Sequence, residues 1–193
     1  MLHDTSRTDE EIASDVQKGN VESFGALIGR YEEKIARYAR KFLSDYEERK
    51  DIVQEIFVKV YINIQSFNPT QRFSPWIYRI AHNEFVNVLK KKSRISFISF
   101  DAFDSDILLP YPIAKEKTDD RANTAEIRQL LDAELQKIDA KYREVLVLYY
   151  FEDMDYAEIA DILQIPIATV GVRLSRGKAL LKKVEELKEL KSA

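Results

Sequence analysis

The chain has 193 residues, 45% hydrophobic and 33% charged, enough to bury one core or two small ones. With no cysteine and two histidines it excludes disulfides, thiolate nucleophiles and zinc ribbons, and it leaves little for imidazole chemistry. The net charge of −3 hides an uneven spread: residues 72–94 hold six cations against Glu84 alone, and residues 167–183 hold five against no acid. Two basic islands in an acidic remainder point to two contacts with a polyanion and exclude a uniformly basic coating. No apolar run is long enough to span a membrane, and the start, MLHDTSRTDEE, is polar and acidic where a signal peptide is basic and then apolar. A cytoplasmic location without membrane insertion is expected.

In chain order, Thr8 with Glu11 forms a capping-box start, Ile12 and Val16 give an apolar edge, and Gly19 ends a short helix expected to be peripheral. From Val21 to about Leu43, Phe24, Leu27, Ile28, Tyr31, Ile35, Tyr38, Ala39 and Phe42 recur at helical spacing and predict a long core helix. Gly25 and Gly29, four apart, suggest a close approach to a neighbour. Ser44 with Glu47 predicts a second capping box and a helix to about Ile64, with Val53, Ile56, Phe57, Val60 and Ile64 facing inward. On its other side Val58 and Ile62 sit among Asp51, Gln54 and Glu55. An apolar centre with a polar rim suits an interface, and burial against the N-terminal helices is the alternative.

Ser66 to Phe73 is a loop by its Asn-Pro and polar content, flanked by Phe67 and Phe73. Ser74 as a cap and Pro75 at the first position predict a helix from Pro75 to about Lys92. Its core side is Ile77, Ala81, Phe85, Val88 and Leu89. The opposite side lines up Trp76, Arg79, Asn83, Asn87 and Lys90, with Arg72, Lys91, Lys92 and Arg94 adding charge. Cations attract phosphates, side-chain amides pair with base edges and rings stack on exposed bases, so this side has the chemistry of a nucleic-acid face. The alternative is an ordinary helix with Trp76 in the core and lysines that complement the helix dipole.

Residues 95–125 lose all periodicity and carry Pro110 and Pro112, as a linker does. Their apolar content, Phe97, Ile98, Phe100, Phe103, Leu108 and Leu109, exceeds that of a solvated tether, so part of the segment is expected to dock. Thr124 can cap a helix with Ile127, Leu130, Leu131 and Leu135 inward, and Asp139 a central one from about Ala140 to Phe151. Asp155 and Glu158 open a short helix, Gln164 to Pro166 break it, and another begins near Ile167, which together make a helix-turn-helix. In the last helix Ile167, Val170, Leu174, Gly177 and Leu181 are expected inward. Ala168, Thr169, Val172, Ser175 and Arg176 are expected outward, with Gly171 and Arg173 at the margins. Small residues followed by cations suit an element that enters a major groove, while purely structural helix-turn-helices also exist.

Three motifs, DIVQEIFVKVY, RFSPWIYRIAHNEFVNVLKKK and LQIPIATVGVRLSRGKALLKK, come in an order and spacing that resemble the bacterial extracytoplasmic-function sigma factors over nearly the whole chain. The resemblance implies an all-α protein of two small helical domains joined by a flexible linker. Residues 1–94 would bind the clamp of core RNA polymerase and open the minus-ten promoter DNA. Residues 95–125 would be the linker, and residues 126–193 would read the minus-thirty-five element. By position it assigns Asp51, Gln54, Glu55 and Phe57 to polymerase, to which the apolar strip adds Val58 and Ile62. For the minus-ten element the resemblance implies Trp76, Asn83 and Lys90, Lys91 and Lys92, to which the reading of the face and its loop adds Phe67, Arg72, Phe73, Arg79 and Asn87. The minus-thirty-five set is Ala168, Thr169, Val172, Arg173, Ser175, Arg176 and Lys178.

Two departures stand out. Asn87 replaces a common Asp, and Ala168-Thr169-Val170-Gly171-Val172-Arg173 replaces the usual Gly-Thr-Val-Lys-Ser-Arg, so one phosphate or base contact is missing and Val172 offers only methyls. The 31 linker residues could reach roughly 100 Å, against about 70 Å for two duplex turns, so both islands can engage together. No cofactor and no enzyme activity are expected, since no glycine-rich phosphate loop, metal-ligand cluster or nucleophile with a base beside it is present. The apolar linker suggests a path through the polymerase, occlusion by an inhibitor, or some of each, which makes an anti-sigma factor the candidate third partner. The rival reading is a free-standing helix-turn-helix regulator, which has no need of the Asp51 to Ile62 strip.

Overall fold

The computed structural model describes residues 7–40, 43, 45–92 and 138–192, and among these there is helix, turn and coil but no strand. The chain parts into two compact units, Met1–Ser93 and Arg94–Ala193. The all-α expectation holds. The linker and the helix expected after Thr124 lie outside the described residues.

In the first unit, α1 spans Asp9–Gln17 with the capping box in place, Thr8 N to Glu11 Oε2 at 2.8 Å and Glu11 N to Thr8 Oγ1 at 3.2 Å. Gly19, at φ +97°, takes the left-handed turn that ends the segment. The helix is not peripheral as expected: Ile12, Ala13 and Val16 are buried, and Asp9 binds Arg30 Nη1 at 2.5 Å and the Tyr31 hydroxyl at 2.6 Å. Burial, and then this carboxylate, push the Tyr31 hydroxyl far above its ordinary pKa, so it stays a neutral donor.

A 3-10 turn, Val21–Ser23, precedes α2, Phe24–Arg40, so the long helix starts three residues later than expected. Gly25 makes no close approach, since a Cβ there would meet nothing within 4 Å. Helix α3 spans Tyr46–Asn63. Its cap is Asp45, whose carboxylate accepts from Glu48 N at 2.8 Å, and not Ser44, because the Asp45 oxygen meets the orphan amide three residues on. Helix α4 spans Phe73–Lys92 and starts two residues before Pro75. Ser74 is not its cap either: it lies inside the helix, and Glu10 Oε1 receives the Phe73 amide at 2.8 Å. Pro75 still falls in the first turn, where no intrahelical donor is lost. Tyr38 meets Tyr78 and Phe85 edge-on at 5.4 and 5.2 Å in the core that joins α2 to α4.

In the second unit, α5 spans Ala140–Tyr150 and is capped by Asp139, which accepts from Lys141 N at 3.2 Å. It buries Val145, Leu146, Val147, Leu148 and Tyr150, as its composition predicts. Helix α6, Tyr156–Leu163, starts with the expected Asp155–Glu158 capping box and ends on Gln164 in the left-handed region. Three residues, Gln164 to Pro166, lead into α7, Ile167–Ser192, and complete the helix-turn-helix. Helix α7 lies so close to α5 that a Cβ on Gly177 would stand 2.8 Å from Leu146 Cδ1.

Candidate functional site

On α3, Val53, Ile56, Phe57, Val60 and Ile64 are buried as the periodicity requires, which leaves the opposite face to solvent. There Val58 is 57% and Ile62 68% exposed, with Asp51, Gln54 and Glu55 exposed around them. The alternative of burial against the N-terminal helices is ruled out. Phe57, placed in this set by resemblance, is buried at 7% and belongs to the core, because it shares the inward stripe with Val53 and Val60. Tyr61 was not foreseen: it is exposed beside Ile62, and its ring lies edge-on to Phe24 at 5.2 Å. Behind the strip, Lys59 Nζ reaches Glu55 at 3.5 Å and the buried Glu84 of α4 at 2.5 Å. The hydrogen bond to Glu84 raises the Lys59 pKa above its ordinary value. A single acid in an otherwise basic helix was the signal for this pair.

On α4, Ile77, Ala81 and Phe85 are buried, and Val88 and Leu89 are half-buried. Asn83, Asn87 and Lys91 are exposed and Arg79 is half-buried, so the amides and cations stand on the side predicted. Arg72 is exposed just before the helix. The side chains of Lys90 and Lys92 lie outside the described residues. Phe67 and Phe73 depart from expectation. At 4% and 0% exposure they have no ring face to offer a base; they stand edge-on to each other at 5.2 Å and form a floor beneath Trp76. Trp76 is half-buried, its ring 5.3 Å from Phe67 and 5.5 Å from Phe73. Of the three aromatics in this set, Trp76 alone keeps appreciable exposure, and it packs beside the two buried rings.

On α7, Ala168 and Ser175 are exposed, and Val172, Arg176 and Lys178 are half-buried. Thr169 and Arg173, expected to face DNA, are buried, whereas Ile167, expected inward, is 55% exposed. The reason is that α7 packs on both α5 and α6, so its buried arc is wider than one stripe and takes in Thr169, Val170, Arg173, Leu174, Gly177 and Leu181. The arc left open carries Ala168, Gly171, Val172, Ser175 and Arg176: small or apolar side chains, then a cation. Such a surface enters a groove without steric conflict and offers methyls to thymine and charge to phosphate.

Among the described residues no cluster of His, Asp and Glu could hold a metal, and no helix is long and apolar enough to cross a membrane.

Residues 27–95, which contain the α3 strip and the α4 face, match the Sigma-70 region 2 family, and residues 128–181, which contain the open arc of α7, match Sigma-70, region 4. The chain is 32% identical over 171 residues to the ECF RNA polymerase sigma factor SigW of Bacillus subtilis (strain 168), over 87% of this chain and 91% of the relative. It is 30% identical over 184 residues to the ECF RNA polymerase sigma-E factor of Escherichia coli (strain K12), over 93% and 96%. Among solved structures, CnrH in complex with the cytosolic domain of CnrY aligns with a TM-score of 0.68 at 24% identity, over 94% of this chain and 99% of that one. The sigma factor RpoE of Bartonella quintana, in complex with the anti-sigma factor NepR, aligns at 0.61 and 20%, over 86% and 98%. These two establish likeness of fold.

Proposed function

The chain belongs to the extracytoplasmic-function RNA polymerase sigma factors, which direct promoter-specific transcription initiation, and we propose how its surfaces divide that work. The α3 strip of Asp51, Gln54, Glu55, Val58, Tyr61 and Ile62 docks on core RNA polymerase. The α4 face of Arg72, Trp76, Arg79, Asn83, Asn87 and Lys91 takes the minus-ten strand once the duplex has parted. The open arc of α7, with Ala168, Val172, Ser175, Arg176 and Lys178, reads the minus-thirty-five duplex. In domain terms, residues 1–94 do the first two tasks and residues 126–193 the third, with 95–125 linking two weak contacts into one useful affinity. The protein acts in the cytoplasm as an initiation factor and not as an enzyme.

The observation that carries this reading is the exposed Val58 and Ile62 pair inside its polar rim. A free-standing regulator has no use for that surface, and leaving it bare costs solubility. Two relatives of like fold were each seen with a protein partner, CnrH with CnrY and RpoE with an anti-sigma factor. We extend this to the present chain: an anti-sigma factor that covers the strip holds it inactive by competing with polymerase. Reversing Asp51 and Glu55 to Lys is expected to weaken core polymerase binding about tenfold or more, as opposed charges at an interface do, with helicity retained. Unchanged affinity in the folded variant contradicts the assignment.

A further inference from the structure

Helix α1 holds both ends of the loop that leads into α4. At the upstream end the Gln17 amide donates to the carbonyls of Ile64 and Phe67, each at 2.7 Å, and Gln65 donates to the Gln17 carbonyl at 3.0 Å. At the downstream end Glu10 Oε1 accepts from the Phe73 amide at 2.8 Å, which caps α4 from a separate helix. Between these anchors residues 68–72 are exposed, and Asn68 turns back on Thr70 through its side-chain oxygen at 2.9 and 3.1 Å. The backbone groups that are held, at Phe67 and Phe73, belong to the two rings that seat Trp76.

These bonds are not what keeps α1 in place. Its buried Ile12, Ala13 and Val16 and the Asp9 contacts to Arg30 and Tyr31 already fix it on α2. Removing the Glu10 cap or the Gln17 amide therefore loosens one end of the loop, which its Gln71 N to Asn68 O bond at 3.0 Å still shapes, while the helix stays docked. A loop held at both ends has surrendered its freedom before a ligand arrives, so less of the binding energy is spent on ordering it.

We propose that Glu10 and Gln17 are positioning residues for promoter opening: α1 sets the 68–72 loop and the first turn of α4, and so aims Arg72 and Trp76 at the separated strand. The proposal rests on the reading of the α4 face as a single-strand surface.

The test uses the full chain with core polymerase and a duplex promoter, and reads core affinity, initial promoter binding and permanganate reactivity of the minus-ten thymines. Glu10→Ala and Gln17→Ala are each expected to lower opening about fivefold, the weight of one lost helix cap, with core affinity and initial binding unchanged. Glu10→Gln keeps an acceptor oxygen and is expected to restore opening. Trp76→Ala is run beside them. If it lowers opening while neither α1 variant does, the positioning role is overturned and the α4 assignment stands. If it leaves opening intact, the α4 assignment falls and the proposal with it. Parallel losses of core affinity and opening in the α1 variants, or a Glu10→Gln variant no better than Glu10→Ala, mean a structural role only and also overturn it. Gln17→Ala removes side-chain donors alone, so it keeps the proposal testable should Glu10→Ala fail to fold.

Discussion

Helices α4 and α7 carry similar surpluses of cations and present different surfaces. Helix α4 packs on α1, α2 and α3, and the face it leaves open carries the exposed Asn83 and Asn87 and a half-buried Trp76 beside two buried rings. Helix α7 packs on α5 and α6 and buries Thr169 and Arg173, and what it leaves open is small: Ala168, Gly171, Val172, Ser175. The difference teaches that a count of cations locates a nucleic-acid surface but does not say how it reads. A fixed ring among amides suits a base that has left its stack, whereas a low surface followed by charge suits an intact groove.

The comparison breaks most readily at Gly177. Replacing it with Val puts a branched side chain where a single Cβ already meets Leu146, a fully buried side chain that would have to shift. A loss of about 1–3 kcal/mol is expected for overpacking of this kind. Thermal unfolding should show the loss, and an unchanged midpoint would contradict the close approach of α7 to α5.

Next in size is Lys59→Met, which leaves Glu84 buried without its cation. Since Lys59 is itself more than a third exposed, the expected loss is reduced by solvent screening to about 1–2 kcal/mol. Adding Glu84→Gln should recover most of it in urea unfolding. The Lys59 pKa is raised by Glu84, so the pair's contribution is complete below the ordinary lysine range and is lost only as pH climbs through the raised value. Stability between pH 6 and 9 should therefore not change through this pair.

The smallest effect is at Val172. Val172→Ser should leave the salt dependence of promoter binding alone and shift base preference at one or two minus-thirty-five positions by about 1 kcal/mol each. Selection from a randomised upstream element decides it, and identical preferences in the two proteins would remove Val172 from base reading.

Much of this was legible in the sequence because its signals are local. The Thr8–Glu11 and Asp155–Glu158 boxes, the inward stripe of α3, and the exposed Val58 and Ile62 all follow from spacing within a few residues. What could not be read came from groups that meet across the chain. The bonds from Glu10 and Gln17 of α1 span 47 to 63 residues, and nothing near either side chain announces them. Phe67 and Phe73 look like loop aromatics until the fold closes over them, and the burial of Arg173 depends on two helices packing on α7 where the periodicity anticipates one.

The central claim is that α4 acts on separated strands and α7 on the duplex. It is tested most directly by comparing Trp76→Ala with Arg176→Ala for initial promoter binding at low temperature and for permanganate-detected opening on warming. A stacked ring contributes about 1–3 kcal/mol and only where a base is free to meet it. Trp76→Ala should therefore keep initial binding and lose opening, while Arg176→Ala should lose both in proportion. Equal losses of binding and opening in Trp76→Ala would contradict the account.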